Sequence, residues 1–293
     1  MKTRSLDTLP GPPQILGEGA LWHVRAQRLY WVDIAGHAAH AFEPATGRLL
    51  TAPVGESIGT IVPTVRAEVL VALQRRFAYL DFAHGRLTPF PAEPLLPAGH
   101  RFNDGKCDSA GRFWVGSMAQ DDTPGAGQLW CLHPTLRAES RRENLTIPNG
   151  IAWSRDGCTC YHIDSPTRRV EAFTFDPVDG TLSAGRLLRE FTAEEGYPDG
   201  MTLDADGHLW IALWDGWRVV RLDAVTGATV AEIKLPVQRP SSCAFGGPKL
   251  DTLYITSARI GLGEAQLAEQ SLAGHVFITQ PGTIGLPANE FAG

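Results

Sequence analysis

DGKCDSAGRFWVGSM (104–118), NGIAWSRDGCTCYHIDS (149–165) and DGMTLDADGHLWIALW (199–214) are three copies of one unit. Each runs from a polar residue and a glycine into a short apolar strand, a tight turn, and a second strand with an aromatic residue near its start. The turns SAG, SRDG and DADG end in glycine, which supplies the positive φ that tight hairpins need, so the pattern predicts hairpins and not helices. Weaker copies begin at Glu18 (EGALWHVRAQRLYWVDI), Gly59 (GTIVPTVRAEVLVAL) and Ser241 (SSCAFGGPKLDTLYITS), which makes six in all. Between them, segments such as HAFEPATGRLL (40–50) and VEAFTFDPVDGTLS (170–183) alternate apolar and polar residues around TG or DG turns, as outer strand pairs do. A period of roughly 40 to 50 residues with four short strands per unit is that of a propeller blade. The expected fold is therefore all-β, a six-bladed β-propeller forming one domain over residues 1–293. A β-sandwich does not need the same unit six times over. Only EAQLAEQSL (264–272) carries a helical pattern, and the propeller is expected to close using both chain ends.

Composition removes several classes of function. With 26 Lys and Arg against 32 Asp and Glu the formal net charge is -6, and no basic stripe exists to neutralise phosphates, so nucleic acid is not an expected partner. MKTRSLDTLPGPPQ lacks an apolar signal core, and no later apolar run approaches the roughly 20 residues of a membrane span. A cytoplasmic protein without a membrane partner is expected. The five cysteines are an odd set without CxxC spacing and read as small buried hydrophobes; Cys158 and Cys160, on one strand, are badly placed to bridge each other. Propellers protect their sheet edges, so a monomer is the default and a dimer the alternative.

The repeat also predicts a site. In a propeller the first strand of each blade lines the central channel, so residues at equivalent positions just before those strands gather at one mouth. Glu18, Asn149 and Asp199 hold that position in the first, fourth and fifth blades, each followed by glycine. EG, NG and DG are ordinary turn dipeptides when taken singly; repetition at blade spacing, with Pro148 and Pro198 fixing the chain before two of them, marks them as a set. Two carboxylates and a carboxamide oxygen suit a hard cation such as Ca²⁺, Mg²⁺ or Mn²⁺ in the channel. Asp104 also sits in a DG pair but reads as a turn residue closing the third blade. No GxSxG elbow is present, and none of the nine histidines has a catalytic motif around it, which argues against covalent catalysis. Trp22, Trp114, Trp153 and Trp210 recur at repeat positions as packing residues, whereas Trp214 and Trp217, flanking a turn, offer a flat wall for a ring.

LGEGALW (16–22), RFNDGKCDSAGRFWVGSM (101–118), IPNGIAWSRDG (147–157), YPDGMTLDADGHLWIALW (197–214) and CAFGGPKLDTLYITSA (243–258) together resemble the senescence-marker, gluconolactonase and regucalcin-like family, from about Leu16 to the terminal FAG. The resemblance implies one divalent metal on Glu18, Asn149 and Asp199, calcium first, with zinc, magnesium, manganese or iron as other occupants. It further implies that Arg101 and Asn103 hold the substrate above the metal and that Asp121 contacts sugar hydroxyls, although its setting, MAQDDTPGAG, departs from the family pattern. The activity implied is metal-dependent hydrolysis of an aldonolactone such as gluconolactone, a small-molecule sugar lactone, with the metal as Lewis acid and Asp199 as proton acceptor. A calcium-binding regulatory protein, and a metal-dependent hydrolase of another ester or phosphotriester, are the alternatives.

Overall fold

The computed structural model describes residues 5–90 and 95–293. Among these, the strands form six four-stranded antiparallel sheets. Their innermost strands are Gly17–His23, Ile58–Pro63, His100–Cys107, Pro148–Trp153, Tyr197–Leu203 and Pro240–Gly246, which number blades one to six. Each inner strand packs against those of the two neighbouring blades, and the sixth returns to the first, so the sheets close into a six-bladed propeller. The core lies between blades: Met201, Ile211 and Val220 of blade five, for example, pack with Ile163 and Val170 of blade four. Each such buried side chain stabilises by roughly 1.5–3 kcal/mol.

All six inner strands share one irregularity. The register against the second strand slips by a β-bulge, between Glu18 and Leu21, Ile58 and Thr60, Phe102 and Gly105, Pro148 and Ile151, Pro198 and Met201, and Pro240 and Ser242. The dipeptides that look like turns in the sequence sit in these bulges, inside strands. Their glycines are required by close approach: a Cβ on Gly150 would stand 2.5 Å from the Asp199 carbonyl oxygen, and one on Gly200 would meet Ser242 Oγ. Neighbouring inner strands thus draw together where the bulge turns a side chain out of the ladder.

Closure uses the chain ends unequally. Asp7–Thr8 pairs with Phe277–Thr279 and is the outermost strand of blade six. The C-terminal segment adds no strand to a sheet. It crosses the far mouth of the channel as a strap, bridging Gly285 to Asp204 and Phe291 to Thr64 and burying Phe291 fully. The helix is shorter than its sequence pattern, Glu264–Glu269. All five cysteines are free, Cys158 being exposed and the other four buried. Among the described residues no helix is long and apolar enough to cross a membrane.

Candidate metal centre and substrate cavity

Two carboxylates set the upper mouth of the channel. Asp33, at the end of the second strand of blade one, accepts the N–H groups of Ile15 and Leu16 (both 2.9 Å), and Asp164 accepts those of Thr146 and Ile147 in blade four. Both clamps fix the chain just before an inner strand, and so the positions from which Glu18 and Asn149 project. Glu18, Asn149 and Asp199 are buried and line one cavity of about 330 Å³.

The geometry around Asn149 is determined by hydrogen-bond arithmetic. Ser165 Oγ donates to the Pro198 carbonyl (2.7 Å), which leaves it only acceptor capacity toward its other neighbour, Asn149 Nδ2 (2.8 Å). The amide nitrogen is thereby turned to Ser165, and Oδ1 faces the other way. There it accepts from Asn103 Nδ2 (2.8 Å), while Asn103 Oδ1 accepts from Arg101 Nη1 (2.6 Å). A continuous chain runs from the Arg101 guanidinium to blade five through three side chains.

Glu18 and Asp199 stand within hydrogen-bonding reach of each other, and burial pushes both carboxyl groups above the usual carboxylate range, each reinforced by neighbouring acids. Asp199 Oδ1 is buried and meets no donor. Paired buried carboxyl groups with an orphaned oxygen are unfavourable in protein alone and favourable around a cation. All the donors are oxygens, which fits a hard divalent ion. The remaining charges are arranged around this pair. Burial lowers the Arg101 pKa, opposed first by Asp122 and then by Glu18 and Asp199. Beneath, the Lys106 ammonium donates to the Met201 carbonyl, and burial lowers its pKa against the field of Asp104.

Not every residue singled out by the sequence converges here. Arg101 and Asn103 line the cavity, but Asp121 does not; its Oδ1 is taken by Thr123 Oγ1 (2.6 Å), and it is the adjacent Asp122, at φ 57°, that reaches the cavity wall. Trp214 lines the cavity and Trp217 does not. Asp104 is no solvated turn residue: it lies buried in the inner strand, Oδ1 accepting its neighbour Gly105 N–H and Oδ2 without a partner. Ser165 and Asp122 are the groups that sequence reasoning missed. The four packing tryptophans behave as expected: Trp22 stacks on Tyr254, Trp153 packs against Trp114 and Phe175, and Trp114 and Trp210 donate Nε1 to the fully buried Asp108 and Asp204.

A second acidic group, Asp204, Asp206 and His208, brings its ligand atoms together. Its carboxylates are already engaged by Arg221, at 2.7 Å from each aspartate, and by the Trp210 indole, so it latches blade five. Another cavity, about 400 Å³, opens at the far mouth under the C-terminal strap.

Fold and site define a class: a six-bladed β-propeller with buried acids converging on one mouth of its channel. The chain belongs to the SMP-30/Gluconolactonase/LRE-like family, whose profile matches residues 16–259. It is 38% identical to a 6-deoxy-6-sulfogluconolactonase of Pseudomonas putida, over 96% of each chain. It is 36% identical to regucalcin of Gallus gallus, over 95% of each. A solved structure titled as a calcium-binding protein, regucalcin, from Agrobacterium tumefaciens superposes with a TM-score of 0.91 at 25% identity, over 98% of this chain and 97% of that one.

Proposed function

We propose that this protein is a lactonase that hydrolyses a sugar lactone to the open-chain aldonic acid, using one divalent cation, calcium foremost, held by Glu18, Asn149 and Asp199. The observation that carries the reading is the buried Glu18–Asp199 pair with an orphaned Asp199 oxygen, in the same cavity as the Arg101 guanidinium. The names of the relatives, a sulfogluconolactonase and a calcium-binding regucalcin among them, support both the ester chemistry and the ion.

When bound, the cation supplies Lewis acidity toward the lactone carbonyl and lowers the pKa of water beside it. The chain's own groups do the rest. Arg101 donates to the carbonyl oxygen and stabilises the charge that grows on it as the tetrahedral intermediate forms. Asn103, tied to Arg101 and Asn149, keeps that guanidinium in place and holds a ring hydroxyl. Asp199 Oδ1, facing no donor, accepts the proton of the attacking water. As the C–O bond to the ring oxygen breaks, the same proton passes to that oxygen, which leaves as a hydroxyl; no covalent enzyme intermediate is formed. The cavity lining contains no Cys or His, and its one serine, Ser165, has its hydroxyl committed to Pro198.

The test is proton release from D-glucono-1,5-lactone and pentonolactones by metal-stripped protein, with and without Ca²⁺, Mg²⁺, Mn²⁺ and Zn²⁺, alongside Asp199→Ala. Metal-dependent turnover above background, lost in a variant that remains folded, is expected. Turnover retained by Asp199→Ala removes that residue from the mechanism, and background rates with every ion refute the lactonase reading.

A further inference from the structure

The cavity is two-sided. Its charged side belongs to blade three, where Arg101 and Asp122 face the axis beside the one apolar side chain of that blade in the lining, Met118. In a ring of six, blade three stands opposite blade six, and that side is aliphatic: Ile260 from blade six, flanked by Leu16 and Ile34 of blade one and by Trp214 of blade five. Leu16, Ile34 and Ile260 have no polar side-chain atom.

This apolar wall is built, not incidental. Ile260 is 38% exposed, yet its N–H donates to the Ile15 carbonyl (2.9 Å) and its own carbonyl accepts from the Arg239 guanidinium. Leu16 is held by Asp33 through its N–H (2.9 Å), and Ile34 N–H donates to the Leu16 carbonyl (2.9 Å). The same Arg239 lies 4.9 Å from the centroid of the Trp214 ring and is itself fixed by Asp215 (2.8 Å). Ile34 and Leu16 also pack into the core between blades one and two, whereas Ile260 stands in the open at the channel mouth and belongs to no core cluster; it is a surface offered to a ligand.

A sugar lactone with hydroxyls on every side does not match such a cavity. In a six-membered lactone, the carbon next to the carbonyl and the carbon bearing the ring oxygen are opposite corners of the ring. With the carbonyl near Asp199 and the first hydroxyls turned to Arg101 and Asp122, the exocyclic substituent at the far corner points toward Ile260, Leu16 and Ile34. From this we infer that the preferred substrate carries an apolar exocyclic group, a methyl or longer alkyl, where gluconolactone has its hydroxymethyl. The inference rests on the lactonase reading for the placement of the carbonyl; the asymmetry of the wall is independent of it.

The experiment compares kcat/KM for D-glucono-1,5-lactone, its 6-deoxy analogue, the 6-deoxy analogue extended by one methylene, and the 6-deoxy-6-sulfo analogue. In parallel, calorimetry measures binding of the matching lactams, which resist hydrolysis. The 6-deoxy compounds are expected to exceed the parent by about tenfold or more in both readouts, the size of one well-matched apolar contact. The sulfo compound is expected to be poorest. Ile260→Asn should bring the 6-deoxy to parent ratio to within about threefold of one. Equal or inverted ratios in wild-type protein, or a preference for the sulfo compound, overturn the inference. Lactams that show the preference on a protein that hydrolyses no lactone refute the activity and leave the apolar wall standing as a ligand surface; lactams and lactones that both show no preference refute the wall.

Discussion

Ser165→Ala tests whether the cation site depends on a residue that never touches the cation. Ser165 Oγ makes two buried hydrogen bonds, donating to Pro198 O at 2.7 Å and accepting from Asn149 Nδ2 at 2.8 Å. Alanine removes both, and with them the only contact that distinguishes the two ends of the Asn149 amide on that side. Leaving one buried donor unpaired costs about 1–3 kcal/mol, and it leaves Oδ1 held in place from one side alone, by Asn103 Nδ2. Since about 1.4 kcal/mol is tenfold in an equilibrium constant, cation affinity should fall by roughly 10- to 100-fold, the range typical of residues that orient a metal ligand. The assay is competition against a chelating dye at a temperature where circular dichroism shows the variant folded. Ser165→Thr, which keeps the hydroxyl, should stay near wild type. An affinity for Ser165→Ala within about threefold of wild type would refute the claim that this hydroxyl fixes the amide.

Asp122→Asn should raise KM and Asp121→Asn should not, because only Asp122 faces the cavity and balances Arg101; steady-state kinetics on the best lactone decides, and the reverse pattern would restore Asp121 to the site. Phe291→Ala removes a fully buried ring from the cluster containing Phe77, Phe102 and Val62. A cost of about 3–5 kcal/mol lowers Tm by roughly 5–8 °C at this chain length, read by scanning calorimetry, and a shift under about 2 °C would mean that the strap does not hold the blades. Burial lowers the His162 pKa to about 3, with Arg142 adding to the effect, and lowers that of His40 to about 4. Both folded values lie below the unfolded one near 6.5, so the unfolded chain takes up protons first as pH falls. Their contribution is present above about pH 6.5 and is lost progressively toward pH 3–4, on the order of a few kcal/mol per imidazole. Tm should fall over that range, and His162→Gln should flatten the slope; an unchanged slope would show that this imidazole does not set it.

The blade count and the convergence of Glu18, Asn149 and Asp199 on one mouth were legible because the repeat imposes them: identical bulges in successive inner strands put equivalent side chains in equivalent places. What misled the reading was the dipeptide itself. Counted by register, Asn103 matches Asn149 and Asp199, and Asp104 matches the glycine after them, so the DG of blade three is one residue out of phase with the DG of blade five. A better anchor was in the sequence: Asp108 and Trp114 have the spacing of Asp204 and Trp210, and counting back five residues from each aspartate gives Asn103 and Asp199. The Asp121–Asp122 pair was separable in the same way, since the first acid of D-D-T closes a turn onto Thr123. Ser165 carried no such signal. Its role depends on the loop after the second strand of blade four reaching blade five, a contact between segments 33 residues apart that no local pattern announces.

This division between what is legible and what is not has a physical origin that bears on how the site works. The floor of the cavity, Glu18, Asn103, Asn149 and Asp199, is carried by inner strands whose positions are fixed by closure of the whole ring. Shifting any one of them means moving a bulge that two neighbouring blades pack against. Most of the walls, Ile34, Asp122, Pro166 and Ile260, come from connections beyond the ladders, which can change length and composition without disturbing a blade. Substitutions on the floor should therefore act on kcat, through the geometry of the reacting groups. Those on the walls should act on KM and on the choice between lactones, as uniform binding is gained or lost. One propeller thereby fixes a single ester chemistry while leaving the identity of the lactone to a few loop residues, and in this chain those residues place a charged edge opposite an aliphatic one.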